Sequence, residues 1–236
     1  MNLRTLVSSF AALFIIAPTV AGTTPSPASD DKEYARSVMA ASLASDDGFH
    51  SSIANMTMQM TDRAGRSSQR KLEISTLERG EEGIDKSIIR FIEPIDIANT
   101  MLLSHTARGG NDFQWLYIPT LKRVKRLSSA NRSGPFVSSE FAFEDLTSQE
   151  IDRFEYAWHG TEACSERQCN VLVRTPTYTK SGYSKQLIWV DTQDQQVRQV
   201  DYYDRTSQHK KTLTLGDYRN YDGVWRAHDL LMVNHL

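Results

Sequence analysis

Residues 51–76, SSIANMTMQMTDRAGRSSQRKLEIST, decide the fold class. Ala54, Met56, Met58 and Met60 alternate with Asn55, Thr57 and Gln59, a period of two that belongs to a half-buried strand. DRAGR at 62–66 supplies a turn, and on the way back Leu72 and Ile74 alternate with Lys71, Glu73 and Ser75. RGEEG at 79–83 turns the chain again, and a third strand over 87–93 stops at Pro94. Three strands joined by short turns make an antiparallel meander.

The same rhythm resumes at 101–105, 113–118 and 123–127, with RGGN at 108–111 as a turn. It continues at 153–159, 169–174, 184–191, 196–203, 209–218 and 224–234, where DTQD, DRTS and YDG turn the chain. One amphipathic helix precedes the strands, over 31–45. Asp30 with Glu33 makes a capping box, Tyr34, Val38 and Ala41 with Ala35, Met39 and Leu43 form the apolar stripe, and Gly48 ends it. IDIANT (95–100) and SEFAFEDL (139–146) read as short helical insertions. The expected architecture is mainly β with a few helices, a curved antiparallel sheet carrying them on one face. No self-similarity recurs at a fixed period, which argues against a propeller or solenoid.

Residues 1–21 carry Arg4, an apolar run from Leu6 to Ile16, the breaker Pro18 and small residues at Thr19 and Ala21, the pattern of a cleaved signal peptide. That run is too short to span a bilayer, and no later one is longer, so a soluble exported chain is expected. A Pro/Ser/Thr linker follows over 22–30, and 31–236 reads as a single β domain. A net charge of −2 gives no case for nucleic-acid binding. Cys164 and Cys169 are the only cysteines. In an exported chain such a pair reads as a disulfide, the alternatives being two free thiols or half of a metal site.

Catalytic signatures are absent from the sequence. There is no G-x-S-x-G elbow and no glycine-rich phosphate loop, and His50, His105, His159, His209, His228 and His235 are scattered without metal-ligand spacing, so no metal or cofactor is expected. Glu144 and Asp145 are the one carboxylate pair worth testing as acid and base, against a plainer reading as helix-flanking charge. Lys122, Arg123, Lys125 and Arg126 alternate between two strand faces, which suits a protected sheet edge; the rival is contact with an anionic headgroup or an acidic partner. The row Met56, Met58, Met60 is either packed core or an adaptable lining for acyl chains. Phe113, Trp115 and Tyr117 share one face of their strand while Leu116 and Ile118 share the other, so a helical lid on one side and a hydrophobic cavity on the other would satisfy both. Strand alternation alone nominates Met56, Met58, Met60, Leu72, Ile74, Phe113 and Trp115 as lipid-binding residues.

Residues 117–146, YIPTLKRVKRLSSANRSGPFVSSEFAFEDL, carry a family resemblance together with the Pro94 turn, TMLL at 100–103 and GGNDFQWLY at 109–117. A tyrosine strand ending in proline (Tyr117, Ile118, Pro119), then a basic strand (Lys122 to Arg126), then Phe136, Ser139, Glu140, Phe141, Glu144, Asp145 and Leu146 resemble the periplasmic outer-membrane lipoprotein-sorting proteins of the LolA-like superfamily. The likeness is narrowest to the branch associated with RND-type exporters, and it covers residues 33–236. It implies a half-open antiparallel barrel closed by helices, whose concave apolar face holds a lipid or the acyl chains of a lipoprotein, with no catalysis. Relatives of this kind continue for another strand or two, so a chain ending at Leu236 is expected either to leave an open edge or to come from a truncated gene model. Two other functions fit the same sequence: an accessory interaction subunit of an RND-type exporter with no lipid cargo, and an envelope hydrolase or lyase using its carboxylates.

Overall fold

In the computed structural model, residues 29–78, 84–107, 112–128, 131–147 and 150–236 are described. The expected signal peptide and most of the linker lie outside them, as do the turns RGEEG and RGGN.

The chain forms two six-stranded antiparallel meanders, and neither closes on itself. The first comprises β1 (Ser51–Thr61), β2 (Ser67–Leu77), β3 (Ile84–Glu93), β4 (Met101–Ala107), β5 (Phe113–Ile118) and β6 (Arg123–Arg126). The second comprises β7 (Phe154–Cys164), β8 (Arg167–Pro176), β9 (Tyr183–Asp191), β10 (Val197–Asp204), β11 (His209–Tyr221) and β12 (Val224–Asn234). The protein is therefore mainly β, an open half-barrel of the expected class. β12 lies at a sheet edge, and the Cys164–Cys169 disulfide is formed at the β7–β8 hairpin.

The one α-helix among the described residues, α1 (Ser29–Ala44), packs on β7 and β9. Ala35 and Met39 are buried, Val38 and Leu43 flank them, and this stripe meets Tyr156, Leu172 and Ile188 of the second meander. Tyr34 is at the margin, edge-on to Trp158 with ring centroids 6.0 Å apart. The expected helix at 95–100 is instead a run of turns, closed by the Ile97 and Thr100 amides donating to the carbonyls of Pro94 and Ile97. Six residues cannot repay helix nucleation, and Asn99 at φ +62° ends the run. SEFAFEDL contributes only one 3-10 turn, Phe143–Leu146.

Residues 131–147 join the two halves by crossing the inner face of the first meander. Phe136 and Phe143 pack edge to face at 5.6 Å, and Phe136 rests on Phe91 at 5.5 Å. With Leu72, Ile89 and Leu102 they form one apolar cluster; the second meander and α1 form another, and Phe141 packs against both. Asp112, 1% exposed at its side chain, receives Arg132 and Arg153 from either end of the crossing. Removing one partner from such a buried arrangement costs far more than the pairing gains, so the clamp fixes the path of the segment.

Candidate functional site

Beneath α1 lies a cavity of about 310 Å³, at the lower end of the roughly 300–1,000 Å³ typical of ligand sites. Met39 and Leu43 form its roof. Its apolar wall comes from Ile188 of β9, Val200 of β10, Leu213 and Leu215 of β11, and Ala227 of β12. At the mouth, the Arg226 guanidinium pairs with Asp46 just beyond α1 and stacks on Phe49 at 4.6 Å. A larger hollow of about 610 Å³ between α1 and β1–β3 is lined by Ala40, Leu43, Ala44, Phe49 and Ile151 but also by Asp46, Asp47, Glu78, Asp85, Glu150 and Asp152, a denser ring of carboxylates than the first cavity carries.

The inner end of the cavity is polar and fully organised. Arg174 is buried, donates to the Gln186 amide oxygen at 2.8 Å and covers the Phe154 ring at 4.2 Å. Asp145 accepts hydrogen bonds from the Ala142 amide (2.7 Å), the Tyr183 hydroxyl (2.8 Å) and the Lys211 ammonium (2.6 Å). Lys211 is 1% exposed, donates also to the Glu140 carbonyl at 2.7 Å, and lies 4.9 Å from the Tyr202 ring centroid. Burial pushes the Tyr183 and Tyr202 hydroxyls far up, with Asp145 adding to it, so both stay protonated and Tyr183 keeps its proton for Asp145.

Glu144 accepts from the Gly182 amide (2.8 Å), the Ser181 hydroxyl (3.0 Å) and the Tyr178 hydroxyl (3.1 Å). Gly182 leaves no room for a side chain: a Cβ there would come within 2.8 Å of Glu144 Oε1 and 2.9 Å of Ser133 Cβ. Burial drives the Glu144 carboxyl up, against the lowering effect of its donors. Burial and the Glu144 charge likewise push the Tyr178 hydroxyl up to about 12. A carboxyl raised in the folded state favours folding most below its ordinary value of 4.5, and that contribution is lost as pH climbs through the folded value. Glu144→Gln should therefore gain stability relative to the parent as pH rises above 4.5. Urea denaturation at stepped pH reads this directly, and a difference independent of pH would refute it.

The nominated lipid-binding residues do not line this cavity. Met56, Met58, Leu72 and Ile74 come together on the inner face of the first meander, where they pack in the cluster containing Phe136 and Phe143. Met60 shares their face by alternation and is half-buried. Phe113 and Trp115 are on the opposite, outer face: Trp115 stands beside Leu103 and Phe113 beside His105, while Gln114 and Leu116 point inward. The assignment of Phe113 and Trp115 to the inner wall is thus corrected. The reason is Gln114, 1% exposed, whose amide donates to Ser104 (3.2 Å) and to the Phe143 carbonyl (3.0 Å). One inward glutamine fixes the parity of the whole strand. The interior is consequently filled by the crossing segment over the first meander and hollow under α1 over the second. Glu144 and Asp145, expected as helix-flanking charge, are instead buried anchors, and Arg174, Gln186 and Lys211 were not nominated at all. The alternation of Lys211, Leu213 and Leu215 was the available signal for an inward lysine.

The fold has close structural relatives. An outer membrane lipoprotein-sorting protein domain from Vibrio parahaemolyticus superposes with a TM-score of 0.83 at 40% identity, over 86% of either chain. This chain belongs to the outer-membrane lipoprotein-sorting family. A family model described only as uncharacterised protein-like matches residues 83–236. A DUF1329 family protein from Desulfovibrio piger (TM-score 0.81, 24% identity, 86% of either chain) and a LolA superfamily protein from Nitrosomonas europaea (TM-score 0.67, 19% identity, 86% of either chain) share the fold. Among curated proteins, none matches. The aromatic and acidic residues of the crossing segment are those that pin it inside the half-barrel.

Proposed function

We propose that the protein is a periplasmic carrier, exported through a cleaved signal peptide, that binds a lipid or the acyl chains of a lipoprotein beneath α1. The observation that carries this reading is the apolar cavity between Met39 and Leu43 of the helix and the inner wall of β9–β12. Each methylene moved from water into that wall is worth about 0.8 kcal/mol. Such binding has no built-in release, so delivery requires a competitor or a membrane partner, for which an RND-type exporter is the proposed candidate.

The reading includes no catalysis. Asp145 is held against Lys211, and Glu144 accepts three hydrogen bonds from fixed donors, so both carboxylates are committed to holding the crossing segment. Native mass spectrometry of protein purified from its own periplasm tests the proposal, followed by titration of the delipidated protein with a fluorescent fatty acid. Co-purifying lipid and saturable uptake are expected. A lipid-free protein that ignores the probe would overturn the carrier reading.

A further inference from the structure

The outer face of β3–β6 has a composition that the cavity does not explain. The register aligns Ile88, Leu103, Trp115 and Arg126 in one row across four strands. The row on one side is Lys86, His105 and Phe113, and on the other Arg90, Met101, Tyr117 and Val124. Ile88, Phe113 and Val124 are exposed, the last to 64%. The Arg126 guanidinium lies 4.5 Å from the Phe113 ring centroid, and the His105 ring is edge-on to Trp115 at 5.0 Å. Every charged residue at these positions is a cation; the acidic neighbour Glu73, on β2, is taken by Arg90 at 3.0 Å.

We infer that this face docks on an anionic phospholipid bilayer. Trp and Tyr rings prefer the headgroup level, where an apolar body and a polar tip are both satisfied, and Lys and Arg beside them meet lipid phosphates. The residues are spread over the outer face of four strands, which suits a surface better than an extended peptide, for which a sheet edge is the usual seat. A second copy joined about a two-fold axis would set Lys86 and Arg126 against the same cations, so charge complementarity favours the bilayer. None of these residues lines the cavity, and the inference goes beyond the cargo reading without resting on it.

Co-sedimentation of the purified protein with phosphatidylethanolamine vesicles, with and without roughly one-third phosphatidylglycerol, tests the inference. The protein should sediment only with the anionic vesicles. Lys86→Gln and Arg126→Gln should each lower the partition coefficient about five-fold, the effect of one cation near a charged surface. Trp115→Ser should lower it too, with an unchanged thermal midpoint for the charge variants confirming that they remain folded. Fatty-acid uptake should be the same in all three, so that loss of docking and loss of cargo binding are read separately. Sedimentation indifferent to phosphatidylglycerol, or equal for parent and variants, would overturn the inference. So would a dimer in analytical ultracentrifugation that the same substitutions dissolve.

Discussion

Replacing Lys211 with methionine should cost about 3–5 kcal/mol of stability, the usual penalty for stripping one partner from a buried ion pair. The Lys211 side chain is 2% exposed and that of Asp145 4%, so water cannot take the place of the ammonium. Methionine matches the length of the stem but leaves the Asp145 carboxylate with only the Ala142 amide and the Tyr183 hydroxyl, and leaves the Glu140 carbonyl without its lysine donor. The loss should appear as a lower urea midpoint with an unchanged denaturant slope. Adding Asp145→Asn removes the orphaned charge while keeping an acceptor for the tyrosine, and it should restore much of the loss. A single-variant loss below about 1 kcal/mol, the range of exposed pairs, would mean that the pair is solvated and does not anchor the crossing segment.

The strands were legible because each carries its period for long enough to be read. The alternation of Ala54, Met56, Met58 and Met60 against Asn55, Thr57 and Gln59 reappears as β1, paired residue for residue with the strand bearing Leu72 and Ile74. What alternation cannot tell is which face is inner when both are apolar. In β5 the larger aromatic side chains were placed inside, yet Gln114 holds the inner position because the Phe143 carbonyl and Ser104 are there to meet it. Those partners are 29 and 10 residues away, beyond any local pattern. Residues 131–147 have no period at all; their burial follows from contacts with both sheets. The same holds for Glu144 and Asp145, adjacent in sequence and sent to different partners, Gly182 for one and Lys211 for the other. A cavity lining was assigned to β1, β2 and β5 from their alternation, whereas the hollow under α1 is walled mainly by β9–β12, whose alternation was read only as strand.

That difference in location gives the second large effect. Ala227→Trp should abolish fatty-acid uptake by the delipidated protein while leaving its thermal stability equal or slightly raised. Ala227 is a half-buried wall residue paired with Tyr218 across β11 and β12, and an indole placed there occupies space the guest would need. Denying a guest only three methylenes costs about 2.4 kcal/mol, roughly sixty-fold in Kd. In a cavity of about 310 Å³ one indole should exclude more than that. Met58→Ala is the informative control: it thins the cluster beneath the crossing segment, lowers stability through lost packing, and should leave probe affinity unchanged. The opposite pattern, with uptake lost at Met58 and kept at Ala227, would move the cargo to the first meander and require the Phe136–Phe143 segment to leave its seat on binding. Because Phe136 is 1% exposed and Phe143 8%, that displacement would uncover two aromatic rings before any acyl chain replaced them. The hollow under α1 asks for no such exposure, and this is the energetic reason to expect the cargo there.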